Sequence, residues 1–434
     1  MGYDKFNLMM GEVGMKNNDL IIKGNIVFSV SPDEIKVFPD SYLVVKDGVT
    51  DGILKELPQD TSGFRVLDHG DRLIIPGFSD LHTHASQFYQ RGLGLDKELI
   101  EWLDKYTFRQ EKLFADEEYA KKVYTGFADT LVNCGTLHAG IFATIHPKAA
   151  RILFEILIHK GIAAFVGKVN MDRNSIPELT EDTDASLRET EELIRDYMDQ
   201  PLVRPILTPR FVPACSPVLL EKLGKIAAKY NIPVQSHLSE NRDEVRWVKE
   251  LYPECSTYAG VYDRYGLFGQ TKTLMAHCVY LEEEEIRLMR ENGVIAVHCP
   301  DSNFNLTSGI MRAKKLMGRG IKVGLGSDVG AGHDLSMARA MVGAIQASKV
   351  LRMNEPETEA LTFEEAFYMA TKGNGGFFGK VGSFEPGYDF DALVIDDTSL
   401  GDRELDLCER LQRFIYIGDD RNIIFKFVRG NLID

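Results

Sequence analysis

The sequence predicts an α/β fold: a (β/α)8 TIM-like barrel carrying a small β-sandwich lobe built from both chain ends. Two patterns and the size of the chain lead there. Eight short runs rich in Val, Ile and Leu recur through the middle of the chain, each followed by a stretch of helical period. Both ends instead alternate β-like runs with turns. The length of 434 residues exceeds a single small domain and suits one large barrel with a lobe beside it.

The N-terminal part (1–72) offers apolar runs at 21–30 and 42–46 and a short one at Gly48-Val49. Ile74-Ile75 then lead through Pro76-Gly77 into the barrel segment (73–382). That segment supplies strand candidates at 77–82, 136–140, 163–167, 204–208, 234–237, 273–277, 294–298 and 322–326. Apolar residues at helical spacing fill the intervals, as at 216–230 and 281–292. Eight strand-then-helix units in one stretch are the sequence form of a parallel barrel. The C-terminal part (383–434) returns to β-like runs at 392–395, 414–417 and 423–428, ending at Gly430-Asn431. Neither end is long enough to close a stable sheet alone, so the two are expected to share one lobe.

The formal net charge is −15, so most of the surface repels phosphate backbones and nucleic acid is an unexpected partner. A neutral base is not excluded by that charge. No apolar run reaches 18 residues, which predicts no membrane span. Residues 1–20 are acidic and polar without an apolar core, unlike a secretory leader. Six cysteines (Cys134, Cys215, Cys255, Cys278, Cys299 and Cys408) form no C-x-x-C pair and read as reduced thiols of a cytoplasmic protein.

Several strand candidates end in a metal-capable side chain. His82 and His84 close the first in H-x-H spacing, and residues two apart in extended chain point the same way. His237 ends the fifth, His277 the sixth, and Asp328 follows the eighth. The C-terminal rim of a barrel is where active sites collect. A lone histidine is more often core or surface, and His69, His146 and His159 are read that way. Three imidazoles and a carboxylate on one rim suit Zn²⁺ with a position left for water, ferrous iron being the alternative occupant. Such an ion brings the pKa of its water toward about 7. Glu240 follows His237 by three residues, where a carboxylate can shuttle protons without binding metal. Taken alone, Glu240 reads as a solvated loop glutamate. H-x-E with P-C-x-x-C, H-E-x-x-H and G-x-S-x-G are all absent from the sequence.

With these residues in place the chain resembles the amidohydrolase superfamily from about Leu20 onward. The general features are PGFSDLHTH (76–84), the strand ends His237, His277 and Asp328, and HCPDSN (298–303). More specific are HTHASQ (82–87), EWLDKYTF (101–108), FATIHP (142–147), GKVNMDRN (167–174), LTPRF (207–211), SHLSENRDEV (236–245) and GLGSDVGAG (324–332). This combination is similar to the guanine deaminase branch. The resemblance implies hydrolytic removal of the 2-amino group of guanine to give xanthine and ammonia. It implies one zinc held by His82, His84, His237 and Asp328. It makes Glu240, His277 and Asp328 the catalytic set, with Glu240 as proton shuttle, and it implies a homodimer. Two-metal relatives use a carboxylated lysine on the fourth strand, and 204–208 offers none.

For the purine base, the resemblance points to Gln87, Arg210 and Phe211, with Trp102 and His237 also at the pocket. An Arg fork donates to a carbonyl, an amide pairs with a ring edge, and a phenyl face stacks on a purine. Without the resemblance, Arg210 and Phe211 read as a surface charge and a core aromatic. Asp301 and His333 depart from the family pattern on rim loops, and Cys278 and Cys299 are read as packing residues. The competing enzyme reading keeps the metal site but acts on another amino-heterocycle, such as 8-oxoguanine, a pterin or an aminotriazine. A non-catalytic barrel is disfavoured because every candidate ligand is present.

Overall fold

The computed structural model describes residues 19–401 and 404–434. Residues 1–18, on which most of the reading of the N-terminus rests, lie outside them. The chain begins with β1 (Leu20–Ser31), β2 (Glu34–Lys46), β3 (Val49–Leu54) and β4 (Arg65–Pro76). β1 pairs antiparallel with β2 and parallel with β4. Its sequence, LIIKGNIVFSVS, is buried over almost its whole length, because it lies in the interior of the sheet rather than at an edge. Gly24 marks a register shift, and a Cβ there would stand 2.7 Å from Ile74 Cδ1, so the strands pack this closely only around glycine.

The strands of the middle segment are β5 (Phe78–His84), β6 (Thr136–Phe142), β7 (Ala163–Gly167), β8 (Val169–Asn170), β9 (Val203–Pro205) and β10 (Thr208–Pro209). They continue with β11 (Val234–Leu238), β12 (Thr273–His277), β13 (Ile295–His298) and β14 (Val323–Leu325). They form two four-stranded sheets, β5-β6-β7-β9 and β11-β12-β13-β14, every pair parallel. Leu207 bridges one seam: its N–H donates to Pro233 O at 2.8 Å and its carbonyl accepts from Gln235 N at 2.9 Å. At the other seam Asp328 N donates to His82 O at 2.8 Å and His84 N donates to Val329 O at 2.7 Å.

Seven of the expected runs coincide with strands within a few residues, and the fourth is broken. The expected 204–208 splits into β9 and β10, and β10 pairs with β8. Pro205 and Pro209 lack the N–H that an unbroken ladder needs. The helices behave as the spacing predicts. Pro217–Tyr230 is capped by the Ser216 side chain, which accepts from Leu219 N, and ends at left-handed Asn231. Glu283–Asn292 starts with a Glu282/Glu285 capping box and ends at Gly293. Apolar stripes such as Leu219, Leu223 and Ile226 join one large buried cluster with the sheet.

The chain closes with β15 (Ala392–Ile395), β16 (Ile423–Val428) and β17 (Asn431–Ile433). These join the N-terminal strands in the order β17-β16-β15-β4-β1-β2-β3. Both ends therefore share one sheet-rich lobe, a continuous seven-stranded ladder where two stacked sheets were expected. Leu20, Ile22, Phe28 and Leu43 pack with Phe390 and Phe427 in its core.

The expected strand at 414–417 is instead the last turn of a helix, Leu407–Ile417. The Phe-Ile-Tyr-Ile window has strand-forming composition, but Leu411, Phe414 and Ile415 come round to one buried face. Asp406 and Glu409 form a capping box at the start. Buried Arg410 donates to Asp397 Oδ1 at 2.7 Å and to Asp71 O at 2.8 Å, holding the helix to the lobe. Asp406→Ala is expected to cost about 1 kcal/mol, the usual loss for an N-cap carboxylate. It is read as a lower urea midpoint with unchanged slope, and an unchanged midpoint would show that the helix is held by packing alone.

Candidate active site

β5 brings His82 and His84 to the rim together. His84 Nε2 lies 3.3 Å from His82 Nε2, 3.2 Å from His237 Nε2 and 3.3 Å from Asp328 Oδ1. His82 Nε2 lies 3.1 Å from Asp328 Oδ1. One ligand atom from each of these four residues falls within 4.8 Å of the others. A single proton on His84 cannot satisfy three acceptors at once, whereas a cation among them can. His237 Nδ1 donates to Arg210 O at 2.6 Å, which turns its Nε2 lone pair to the cluster. Burial, reinforced by the neighbouring imidazoles, holds His237 well below its ordinary pKa and His84 at about 4. Neutral imidazole is the form that ligates metal. The residues present therefore fit a small divalent ion with three N and one O ligand.

The backbone works to aim these groups. Ser239, His277, Cys278 and Asp328 leave their strands at φ of 51°, 73°, 49° and 48°. Left-handed conformation costs a non-glycine residue roughly 1–2 kcal/mol, and such positions persist only where surrounding structure imposes them. Asp80 helps to impose one. It accepts from Ser327 Oγ at 2.5 Å, Ser327 N at 3.1 Å and His82 N at 3.0 Å, fixing β5 to the turn that presents Asp328. Burial pushes its carboxyl up to about 7. Asn374 adds a second clamp, donating to Ser79 O at 2.6 Å and Leu325 O at 2.9 Å.

Beside the cluster, His277 Nε2 stands 3.4 Å from Glu240 Oε2 and 3.8 Å from Asp328 Oδ2. Its Nδ1 meets Asn303 Oδ1 at 3.0 Å, which orients the ring. Ser308 Oγ donates to Glu240 Oε1 at 3.1 Å. Burial, aided by the Asp328 charge and opposed by the Ser308 bond, pushes Glu240 up to about 8. The solvated-loop reading of Glu240 is thus wrong: the residue is 4% exposed.

A cavity of about 430 Å³, part of it open to solvent, lies above these groups. His84, His237, Glu240, His277 and Asp328 line it, and so do Gln87, Trp102, Arg210 and Phe211. His82 is buried and is not among the lining residues. Trp102 is braced by its indole N–H, which donates to Leu93 O at 3.1 Å. Arg210 and Phe211 are 3% and 6% exposed, so Arg210 is not the surface charge its sequence position alone suggests. Asp301 and His333 do not line the cavity. Cys299 comes within ligand reach of His277 and Asp328, but burial pushes its thiol well above the ordinary value, as it does for Cys278. A protonated thiol is a packing group. All six cysteines are free.

Glu111 was not marked by the sequence. It lies just beyond the EWLDKYTF segment, on a one-turn helix, Phe108–Glu111, and is 3% exposed. It accepts from Gln87 Nε2 at 2.9 Å and from Arg210 Nη1 at 2.5 Å. Asp80, Asn303 and Ser308 were likewise missed. No helix among the described residues is long and apolar enough to cross a membrane.

A largely buried cluster of three imidazoles and a carboxylate at the ends of parallel strands, facing a cavity, is a candidate metal centre of the kind hydrolases use. The family model described as Amidohydrolase family matches residues 73–433, and the chain belongs to that family. Its relatives place it more narrowly. The guanine deaminase of Dictyostelium discoideum is 38% identical over 451 residues, spanning 96% of this chain and 99% of its own length. The guanine deaminase of Mus musculus is 38% identical over 439 residues, spanning 95% and 96%. Among solved structures, the guanine deaminase from C. acetobutylicum with guanine in its active site is 50% identical. It matches with a TM-score of 0.94, covering 96% of this chain and 100% of its own.

Proposed function

We propose that this chain is a zinc-dependent guanine deaminase, converting guanine and water to xanthine and ammonia. One observation carries the reading: Glu240 and the His/Asp cluster line the same cavity as Gln87, Arg210 and Phe211. Hydrolytic chemistry and recognition of a flat polar base are thereby brought to one place. The fold reading that goes with it takes the two parallel sheets as one closed (β/α)8 barrel over 73–382. The lobe then comes from 1–72 and 383–434, a division supported by the shared seven-stranded sheet.

His82, His84, His237 and Asp328 would hold the ion. When bound, it supplies a Lewis acid that makes water nucleophilic at neutral pH. Glu240 takes the proton from the attacking water and passes it to the ring nitrogen; it then takes the second proton, from the hydroxyl now on C2, and delivers it to the amine, which leaves as ammonia while the C2 carbonyl forms. Its place in the cavity wall, 3.4 Å from His277 Nε2 and held by Ser308 at 3.1 Å, suits both directions of transfer. His277, oriented by Asn303, holds the carboxylate and the attacking oxygen in register. Arg210 donates toward the carbonyl at C6 and Phe211 stacks on the ring. Guanosine is expected to be refused, because a ribose on N9 needs room beyond a pocket sized for the free base.

A panel of nucleobases with guanosine, followed by ultraviolet absorbance, tests the activity. Guanine is expected to be consumed, while adenine, cytosine and guanosine persist. Elemental analysis tests the metal: about one divalent ion per chain is expected, since the four candidate ligands converge on one site. Two equivalents, or full activity with none, would overturn the one-ion reading. The homodimer implied by the family is tested by light scattering at the mass of two chains.

A further inference from the structure

We propose that Glu111 sets the hydrogen-bond polarity of the base pocket and so decides which heterocycles it accepts. The proposal rests on the reading of this cavity as a guanine site. Glu111 touches neither the metal cluster nor, by its position, the reacting carbon, so its role is positioning.

The two oxygens of this buried carboxylate are divided between two pocket residues. Oε1 accepts from Gln87 Nε2 at 2.9 Å and Oε2 accepts from Arg210 Nη1 at 2.5 Å. An ionised carboxylate has only acceptors to offer. It therefore dictates which end of the Gln87 amide faces it, a choice the amide itself leaves open. With Nε2 committed to Glu111, Gln87 Oε1 turns to Gly330 N at 3.4 Å and Gln90 Nε2 at 3.5 Å. The remaining amide hydrogen is then the polar group that Gln87 has left for a ligand. Arg210 has only donors. Both residues thus present donors to the cavity they line.

A pocket of two donors demands acceptors on the base. Guanine supplies a carbonyl at C6 and bare ring nitrogens, whereas a base with an amine at C6 meets donor with donor. Glu111 also offsets the charge of Arg210, both side chains being 4% exposed. A neutral base can then enter without facing an unpaired buried cation.

The test compares guanine with 2,6-diaminopurine, which carries the same amine at C2 but an amine at C6. The wild type is expected to favour guanine strongly. Glu111→Gln frees the Gln87 amide to reverse, since an amide can donate as well as accept. The ratio of kcat/KM for guanine over diaminopurine should then fall by about tenfold or more, the scale of one mismatched hydrogen bond. The loss on guanine should lie mainly in KM, with metal content unchanged. Should Glu111→Gln not fold, Glu111→Asp keeps the charge but is too short to hold both partners, and the same fall in ratio is expected. A variant that loses activity on both bases equally overturns the proposal, because a merely structural residue has no reason to change the preference. A wild type that leaves guanine untouched overturns the guanine reading itself, and this inference with it. The first failure is seen in the variant's ratio and the second in the wild type alone.

Discussion

Glu240→Gln is expected to keep its metal and bind guanine while losing turnover by roughly 10²–10⁴-fold, the range for removal of a general acid–base. The amide is nearly isosteric, and by reversing it can still accept from Ser308, whose hydroxyl donates at 3.1 Å. It is not a candidate ligand of the ion, so metal content is expected to stay at the wild-type level. What the amide lacks is a group that takes a proton and returns it. The loss should therefore fall on kcat, with KM little changed. Single-turnover kinetics and elemental analysis on one preparation check both halves. A variant that turns over near the wild-type rate would make another residue the shuttle, and His277, 3.4 Å away, would be the first to examine.

Arg210→Ala is expected to cost about 2–4 kcal/mol in transition-state stabilisation for guanine, the usual loss when one partner of a buried charged hydrogen bond is truncated. Much of that reflects the partner left behind: Glu111, 2.5 Å from the lost guanidinium, becomes a buried carboxylate without its cation. Metal content should not change, because alanine keeps the Arg210 carbonyl that accepts from His237 Nδ1. Measured as kcat/KM, the change should also erode the preference for guanine over bases lacking a C6 carbonyl. The wild-type preference itself decides between the two enzyme readings. If 8-oxoguanine, a pterin or an aminotriazine is favoured over guanine by tenfold or more, the chain is a sister deaminase.

Much of this was legible because it is local. The third strand, expected at 163–167, is Ala163–Gly167, and helix starts at Ser216 and Glu282 reflect side-chain chemistry next to the backbone they cap. His82 and His84 share a strand, so their common direction comes from its period of two. The features that escaped depend on distant partners or on competing local signals. Glu111 looks like any helix glutamate until Gln87 and Arg210, 24 and 99 residues away, are brought to it. Asp80 stands in the PGFSDLHTH segment with nothing nearby to mark it, and its bonds reach Ser327, 247 residues away. Residues 414–417 have strand composition but belong to a helix set by Asp406, eight positions upstream of Phe414. The break in the fourth strand escaped because the apolar run at 204–208 masks Pro205, which lacks the N–H that an unbroken ladder needs.

The seven-stranded lobe has a consequence for how the protein is made. β4 lies between β1 and β15, and its residues Leu73–Pro76 pair with Ala392–Ile395. As the nascent chain leaves the ribosome, β1 to β4 emerge first, and the free edge of β4 waits through synthesis of the entire barrel segment. An open apolar edge is a template for foreign strands, and N-terminal units fold ahead of those translated later. A chain that stops before β15 would therefore display that edge indefinitely and be drawn into aggregates or held by chaperones. Arrival of β15 doubles as a check that synthesis has passed the barrel segment: only a chain translated beyond Ile395 can hide the edge that its first strands expose.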